Sequence, residues 1–172
     1  MSKASKDIPP GYTVKDCLAY GSRVPGLLEI KNHNPTKRNA SNNESQLLLA
    51  RLVQEAQTDS SIKVIFIHGG LFYSSGNDIS ILNLNQDNNL DKMKKQEIFS
   101  YGLEYCLVQV LTALKNSVKP IVGLIRGGAI GIGFTITGHF DFIYCSPETK
   151  FSTPFMASCQ SPEGGSTFLF AK

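Results

Sequence analysis

A chain of 172 residues can bury one real core but hardly two, so a single domain is expected. With 41% hydrophobic and 18% charged residues and a net charge of +3, it has the make-up of a globular protein and lacks the dense positive stripe of a nucleic-acid binder. A few cations are still enough to meet a phosphate-bearing ligand, and no apolar run approaches the roughly 20 residues of a membrane span.

Residues 1–26 are polar and punctuated by Pro and Gly, and read as a flexible N-terminal arm ahead of a core domain at 27–172. Met1 to Pro10 lacks the apolar stretch of a signal peptide. Leu27 to Ile30 is a first strand, followed by polar turn material from His33 to Asn39. Between Glu44 and Gln57, Leu49, Leu52, Val53 and Ala56 recur at i, i+3, i+4, i+7 and predict one apolar helical face, with Asn43 or Ser41 as its cap. Val64-Ile65-Phe66-Ile67 suits a strand covered on both faces and runs into His68-Gly69-Gly70. Asn83 to Lys95 reads as a loop. A long helix from about Lys92 to Asn116 is predicted from the period of Leu103, Cys106, Leu107, Val110, Leu111 and Leu114. Pro120 ends it, Ile121 to Ile125 is a second apolar strand, and Gly127 to Gly133 is a glycine-rich turn. Phe142 to Cys145 and Phe151 to Thr153 are further strands, and Ser161-Pro162-Glu163 has the form of a helix start.

Strands alternating with helices indicate an α/β architecture. The four cysteines are widely spaced with no CxxC pair, which fits reduced structural thiols. His68 and His139 have no partner spacing that points to a metal or a triad, and read as structural.

Chemistry concentrates at two places of one design, a buried strand followed by a glycine-rich turn towards a helix. Such turns free backbone N–H groups from the ladder, and two that converge can stabilise an oxyanion. Alone, each would read as tight packing. Their wording is more specific. Phe72 with Ser75-Gly76-Asn77-Asp78-Ile79, then Lys119-Pro120-Ile121-Val122 with Gly127-Gly128-Ala129-Ile130-Gly131, resemble the first and second oxyanion loops of the crotonase (enoyl-CoA hydratase/isomerase) superfamily. Asn34-Pro35-Thr36-Lys37-Arg38-Asn39-Ala40 resembles the segment that contacts the coenzyme A adenosine, and Asp141-Phe142-Ile143-Tyr144 the strand entrance that follows.

The resemblance, over roughly residues 25–172, implies a ClpP-like spiral of repeated β-β-α units, ending here before the family's C-terminal helical region. It implies oxyanion amides at Asn77 and Ile132, and coenzyme A contacts from Lys37, Arg38, Asn39, Ala40, Ser75, Gly76, Asp78 and Ile79. Lys37 and Arg38 would lie near phosphates and adenine, although by themselves they read as a solvated turn. Hydratases of the family carry two glutamates, and the matching positions hold Thr135 and Phe155. What remains is Glu163, in a segment similar to the peroxisomal-type Δ3,Δ2-enoyl-CoA isomerases, where a single Glu is the base. A capping carboxylate at a helix start is the plainer reading of Glu163. The helix N-terminus would lower its pKa, while an acyl pocket lined by Phe134, Phe155 or Phe168 would raise it.

The expected reaction moves a double bond from C3–C4 to C2–C3 of a fatty enoyl-CoA in β-oxidation. It needs no metal or redox cofactor, the coenzyme A thioester being the substrate itself. The implied partner is fatty acyl-CoA, with a homotrimer for a full-length relative and the peroxisome as compartment, though Phe170-Ala171-Lys172 is no Ser-Lys-Leu tail. The rival expectation is a non-catalytic acyl-CoA-binding or protein-interaction module, since chromodomain-Y-like proteins carry a similar segment with Asp where Glu163 stands.

Overall fold

A computed structural model describes residues 8–82, 94, 97 and 100–171. Thr13–Lys15 (β1) and Leu18–Gly21 (β2) form a hairpin, and β2 pairs antiparallel with Leu27–Asn32 (β3). This departs from the loose arm expected over residues 1–26. Asp16 and Cys17 close the hairpin at φ 46° and 63°, the doubly left-handed geometry whose twist matches the flanking strands. Only Leu18 and Ala19 are buried in these strands, too short an apolar signal to read from sequence.

Glu29, in β3 and 1% exposed, ties this edge to the sheet. Arg23 donates to both of its oxygens at 2.6 and 2.7 Å, Tyr12 Oη donates at 2.7 Å, and His68 Nε2 lies 2.9 Å away. Gly70 N donates to His68 Nδ1 at 3.2 Å, which leaves Nε2 as the protonated nitrogen facing Glu29. Burial pushes the Glu29 pKa up, but the hydrogen bonds from Arg23 and Tyr12 and the nearby His68 outweigh it, so the net shift is downward. A carboxylate with a depressed folded pKa contributes stability that is present above the unfolded value and lost as pH falls through the folded one. Glu29→Gln is therefore expected to cost about 1–3 kcal/mol at neutral pH, since Arg23 is half exposed, and to flatten the acid limb of stability. Denaturant unfolding across pH 3 to 7 checks this; parallel wild-type and variant curves would refute it.

Asn43–Thr58 (α1) carries the chain from β3 to Val64–His68 (β4). Its cap is Asn42, between the two expected positions, in a box where Ser45 N donates to Asn42 Oδ1 and Asn42 N donates to Ser45 Oγ, each at 2.9 Å. The expected face of Leu49, Leu52, Val53 and Ala56 is buried, joined by Leu48 and Ala50, and packs on Leu107–Lys115 (α2). A π-helical turn at Gly102–Cys106 precedes α2; the expected loop at 83–95 and the first turns of the long helix lie almost wholly outside the described residues. Ile121–Ile125 (β5) follows α2, then Gly128–Ile130 (β6), Ile132–Thr135 (α3), Phe142–Cys145 (β7), Lys150–Ser152 (β8) and Ser166–Leu169 (α4).

The main sheet runs β1-β2-β3-β4-β5-β7, parallel from β3 onward because helices make the crossovers. Ile65, Ile67, Ile121 and Ile125 turn into one core with α1 and α2. β6 and β8 form a separate parallel pair beyond the end of β5. This is the α/β spiral expected from the sequence. A further expectation fails: residues 161–163 are not helical, and the helix begins only at Ser166.

Candidate active site

Both glycine-rich turns leave the carboxyl ends of neighbouring parallel strands, the first from β4 and the second from β5. They stay together: Ser74 N donates to Gly128 O and Ile130 N donates to Ser74 O, each at 3.0 Å, placing Ser74 opposite Ala129. One step further along, Gly76 comes close to Ile130 and Gly131: a Cβ on Gly76 would stand 2.8 Å from Ile130 O and 3.8 Å from Gly131 Cα. Only glycine, at φ +91°, fits there.

Among the described residues, the candidate amides of Asn77 and Ile132 have no backbone acceptor in the turns described above. Ser41 N donates to Gly76 O (2.8 Å) and Asp78 N donates to Ser41 O (2.7 Å), so by strand alternation the N–H of Asn77 points away from Ser41. Gly131, at φ +53°, turns the chain so that its carbonyl accepts from Phe134 N and Thr135 N at 2.9 Å, and Ile132 becomes the first residue of α3. An N–H in that position has no partner within its own helix. Gln46, in α1, anchors the first loop by donating to Asn77 Oδ1 at 2.7 Å, a contact that sequence reading did not anticipate.

The turn at 34–40 is sewn to the first loop. Ser75 N donates to Arg38 O at 3.0 Å and Ser75 Oγ donates to Lys37 O at 2.9 Å. Lys37 Nζ holds Asp78 Oδ2 at 2.6 Å and Ser80 Oγ at 2.9 Å. Asn39 is buried, giving its side-chain N–H groups to Gly69 O and Phe72 O, and Ala40 is buried beside it. Of the expected coenzyme A contacts, therefore, Asn39 and Ala40 act as scaffold, Ile79 is exposed, and Arg38 is exposed above the Phe72 ring, 5.9 Å from its centroid. Arg38 lines a cleft of about 480 Å³ with Lys31, His33, Phe72 and Arg126, and no carboxylate faces it among the lining residues. Lys31 and Arg126 gave no sequence signal beyond their positions at strand ends.

Glu163 meets the last residue of α3. Thr135 Oγ1 donates to its Oε1 at 2.7 Å, and Oε2 is buried with no hydrogen-bond partner. Burial raises the Glu163 pKa, opposed by the weaker effect of the Thr135 hydrogen bond. Because the helix begins at Ser166, three residues beyond Glu163, the capping reading loses its geometry. The aromatic wall differs from expectation too. Phe134 stacks on Phe170 at 4.4 Å and tilts against Phe151 at 4.9 Å, while Phe168 is 66% exposed.

Residues 23–172 match the family model described as enoyl-CoA hydratase/isomerase. The chain belongs to this family. Among its curated relatives, it is 32% identical to enoyl-CoA delta isomerase 2 of Homo sapiens over 99% of this chain and 42% of that protein. It is 33% identical to enoyl-CoA delta isomerase 3, peroxisomal, of Mus musculus over 86% of this chain and 44% of that protein. The chain thus spans less than half the length of these relatives. Among solved structures, an enoyl-CoA hydratase from Polaromonas sp. JS666 superposes with a TM-score of 0.78, at 22% identity, over 90% of this chain and 57% of that one, a likeness of fold. The α/β crotonase fold expected from the loops is thereby shown. No described helix is long and apolar enough to cross a membrane.

Proposed function

We propose that this chain works as a Δ3,Δ2-enoyl-CoA isomerase with Glu163 as its single base. The observation that carries the reading is the half-buried Glu163 carboxylate with its Oε2 out of solvent, its pKa raised by burial, held through Thr135 on the helix whose first amide belongs to Ile132. The thioester oxygen sits between the amides of Asn77 and Ile132, each worth about 3 kcal/mol to the developing enolate. Glu163 takes the C2 proton, the C2–H electron pair moves into the enolate, and the same carboxyl returns the proton at C4. With Thr135 and Phe155 where two carboxylates would activate water, isomerisation is favoured over hydration.

The cation-lined cleft of Arg38, Lys31 and Arg126 supports fatty acyl-CoA as the ligand, since a coenzyme A handle is rich in phosphate. We place the activity in fatty-acid β-oxidation and, following the peroxisomal relative, in the peroxisome. The test is incubation with a 3-enoyl-CoA, followed by appearance of the conjugated 2-enoyl product. The second reading is a non-catalytic acyl-CoA-binding or protein-interaction module; the chain is also 28% identical to testis-specific chromodomain protein Y 2 of Homo sapiens over 80% of this chain and 24% of that protein. Binding without turnover would select it. In either case Arg38→Ala should weaken coenzyme A binding about 10-fold, one charge-assisted hydrogen bond's worth, by calorimetric titration. Unchanged affinity would remove the cleft from the ligand's path.

A further inference from the structure

Resting on the reading of Glu163 as base, we propose that Thr135 is its positioning residue. The Thr135 hydroxyl holds Oε1 in place, and Oε2 becomes the one oxygen that takes up and returns the proton.

The geometry is restrictive. Thr135 is fully buried, and its hydroxyl has a single proton to give. Of its two acceptors, Glu163 Oε1 lies at 2.7 Å and Ile132 O at 3.5 Å, so the shorter contact takes the proton. Thr135 is itself fixed: its N–H donates to Gly131 O at 2.9 Å, and a β-branched side chain in a helix has few rotamers. The backbone on the other side is equally close. A Cβ on Gly164, which sits at φ +67°, would stand 2.6 Å from Thr135 Oγ1 and 2.7 Å from Thr135 Cβ. The main chain directly after Glu163 therefore rests on Thr135, and a glycine is required to let it. Gly131, which presents the Ile132 amide, and Thr135, which holds the base, belong to one helical turn, so base and oxyanion donor share one rigid frame.

The two oxygens of Glu163 are consequently unlike. Oε1 accepts from Thr135, while Oε2 is buried with no partner. A hydroxyl donor keeps Oε1 an acceptor in both protonation states. When Oε2 removes the C2 proton, Oε1 takes on carbonyl character and the Thr135 bond survives. When the O–H bond breaks to form C4–H, its electron pair returns to Oε2. Thr135 keeps its own proton throughout, so the shuttle cannot leak through it. The titratable group packed against the same segment is His139, whose Nε2 lies 2.9 Å from Gly164 O and so faces the backbone.

The experiment titrates Glu163 by NMR on isotope-labelled glutamate carboxyls in the wild-type chain, Thr135→Val and Thr135→Ser, and runs the isomerase assay on the same proteins. Loss of the donor in Thr135→Val is expected to move the Glu163 midpoint further up, and Thr135→Ser to restore it. In the assay, kcat of Thr135→Val should fall about 10- to 100-fold with KM nearly unchanged, the size of one charge-assisted hydrogen bond. The acid limb of its rate profile should move with the NMR midpoint. A Thr135→Val protein that titrates like wild type overturns the contact, and one that titrates differently but turns over normally overturns the positioning role. Should Thr135→Val not fold, the Thr135 hydroxyl proton of the wild type decides: slow exchange supports the bond and fast exchange refutes it. Failure of the underlying reading looks different. Glu163→Gln would then isomerise as well as wild type even while Thr135→Val shifts the carboxyl titration, and the catalytic part of the proposal would fall with it.

Discussion

Replacing Glu163 by Gln should lower the isomerisation rate by about 10²- to 10⁴-fold, the usual loss when a general base is removed, and leave acyl-CoA affinity almost unchanged. The substitution keeps the shape of the side chain and its Oε1 contact with Thr135, but removes the lone pair that takes the proton. The stability effect should have the opposite sign. Glu163 has a raised pKa because burial disfavours its charge. A carboxyl raised in the folded state contributes stability at low pH that is lost as pH rises through the folded pKa. Above its folded pKa the wild type carries a charge whose Oε2 has no partner among the described residues, and there Glu163→Gln should melt higher. The gain should shrink in acid, where Glu163 is protonated. A variant that is slower, and more stable above that pKa, is the signature of a residue placed for chemistry. Equal rates with lower stability would make Glu163 an ordinary structural acid.

Much of this was legible in the sequence, and the exceptions have physical causes. Buried strands such as Ile121–Ile125 and the amphipathic α1 announce themselves because burial dictates residue type at a fixed period. The two loops were legible through the resemblance of their residues, whereas their contact, with glycine alone fitting at Gly76, was not. The hairpin β1–β2 was hidden because its anchor is one buried carboxylate, Glu29, met by side chains 6, 17 and 39 residues away. No local pattern encodes such contacts. Ser161-Pro162-Glu163 misled for a related reason. It has the chemistry of a helix start, but Gly164 and Gly165 follow at φ 67° and 73°, and two left-handed residues postpone the helix to Ser166. Thr135 looked like the mere absence of a carboxylate, and only the tertiary contact with Glu163 gives it a role.

The pairing of the two loops can be tested by adding a single methyl group. Gly76→Ala and Gly131→Ala both place alanine at positive φ, 91° and 53°, in the two residues that precede the candidate amides. Gly131, at φ 53° and ψ −128°, lies outside the left-handed well, so alanine there strains the backbone by roughly 1–3 kcal/mol, although an added Cβ meets no atom within 4 Å. Gly76 also lies outside that well, and its Cβ would meet the Ile130 carbonyl at 2.8 Å. A backbone oxygen cannot swing aside like a side-chain tip. It also terminates the residue whose N–H donates to Ser74 O, the bond that holds the loops in register. Gly76→Ala must therefore either strain the turn or part the loops, and parting them separates Asn77 N from Ile132 N. The expected result is a loss of roughly 1–3 kcal/mol for the backbone alone and a fall in kcat of about 10²- to 10³-fold, comparable to losing one oxyanion donor. Gly131→Ala carries backbone strain without that clash, so it should lose stability by the strain alone and, with the loops still in register, keep more of its rate than Gly76→Ala. Steady-state kinetics on a 3-enoyl-CoA and denaturant midpoints for both variants give the comparison. If the two prove equally active and equally stable, close contact between the loops does not set the spacing of the amides.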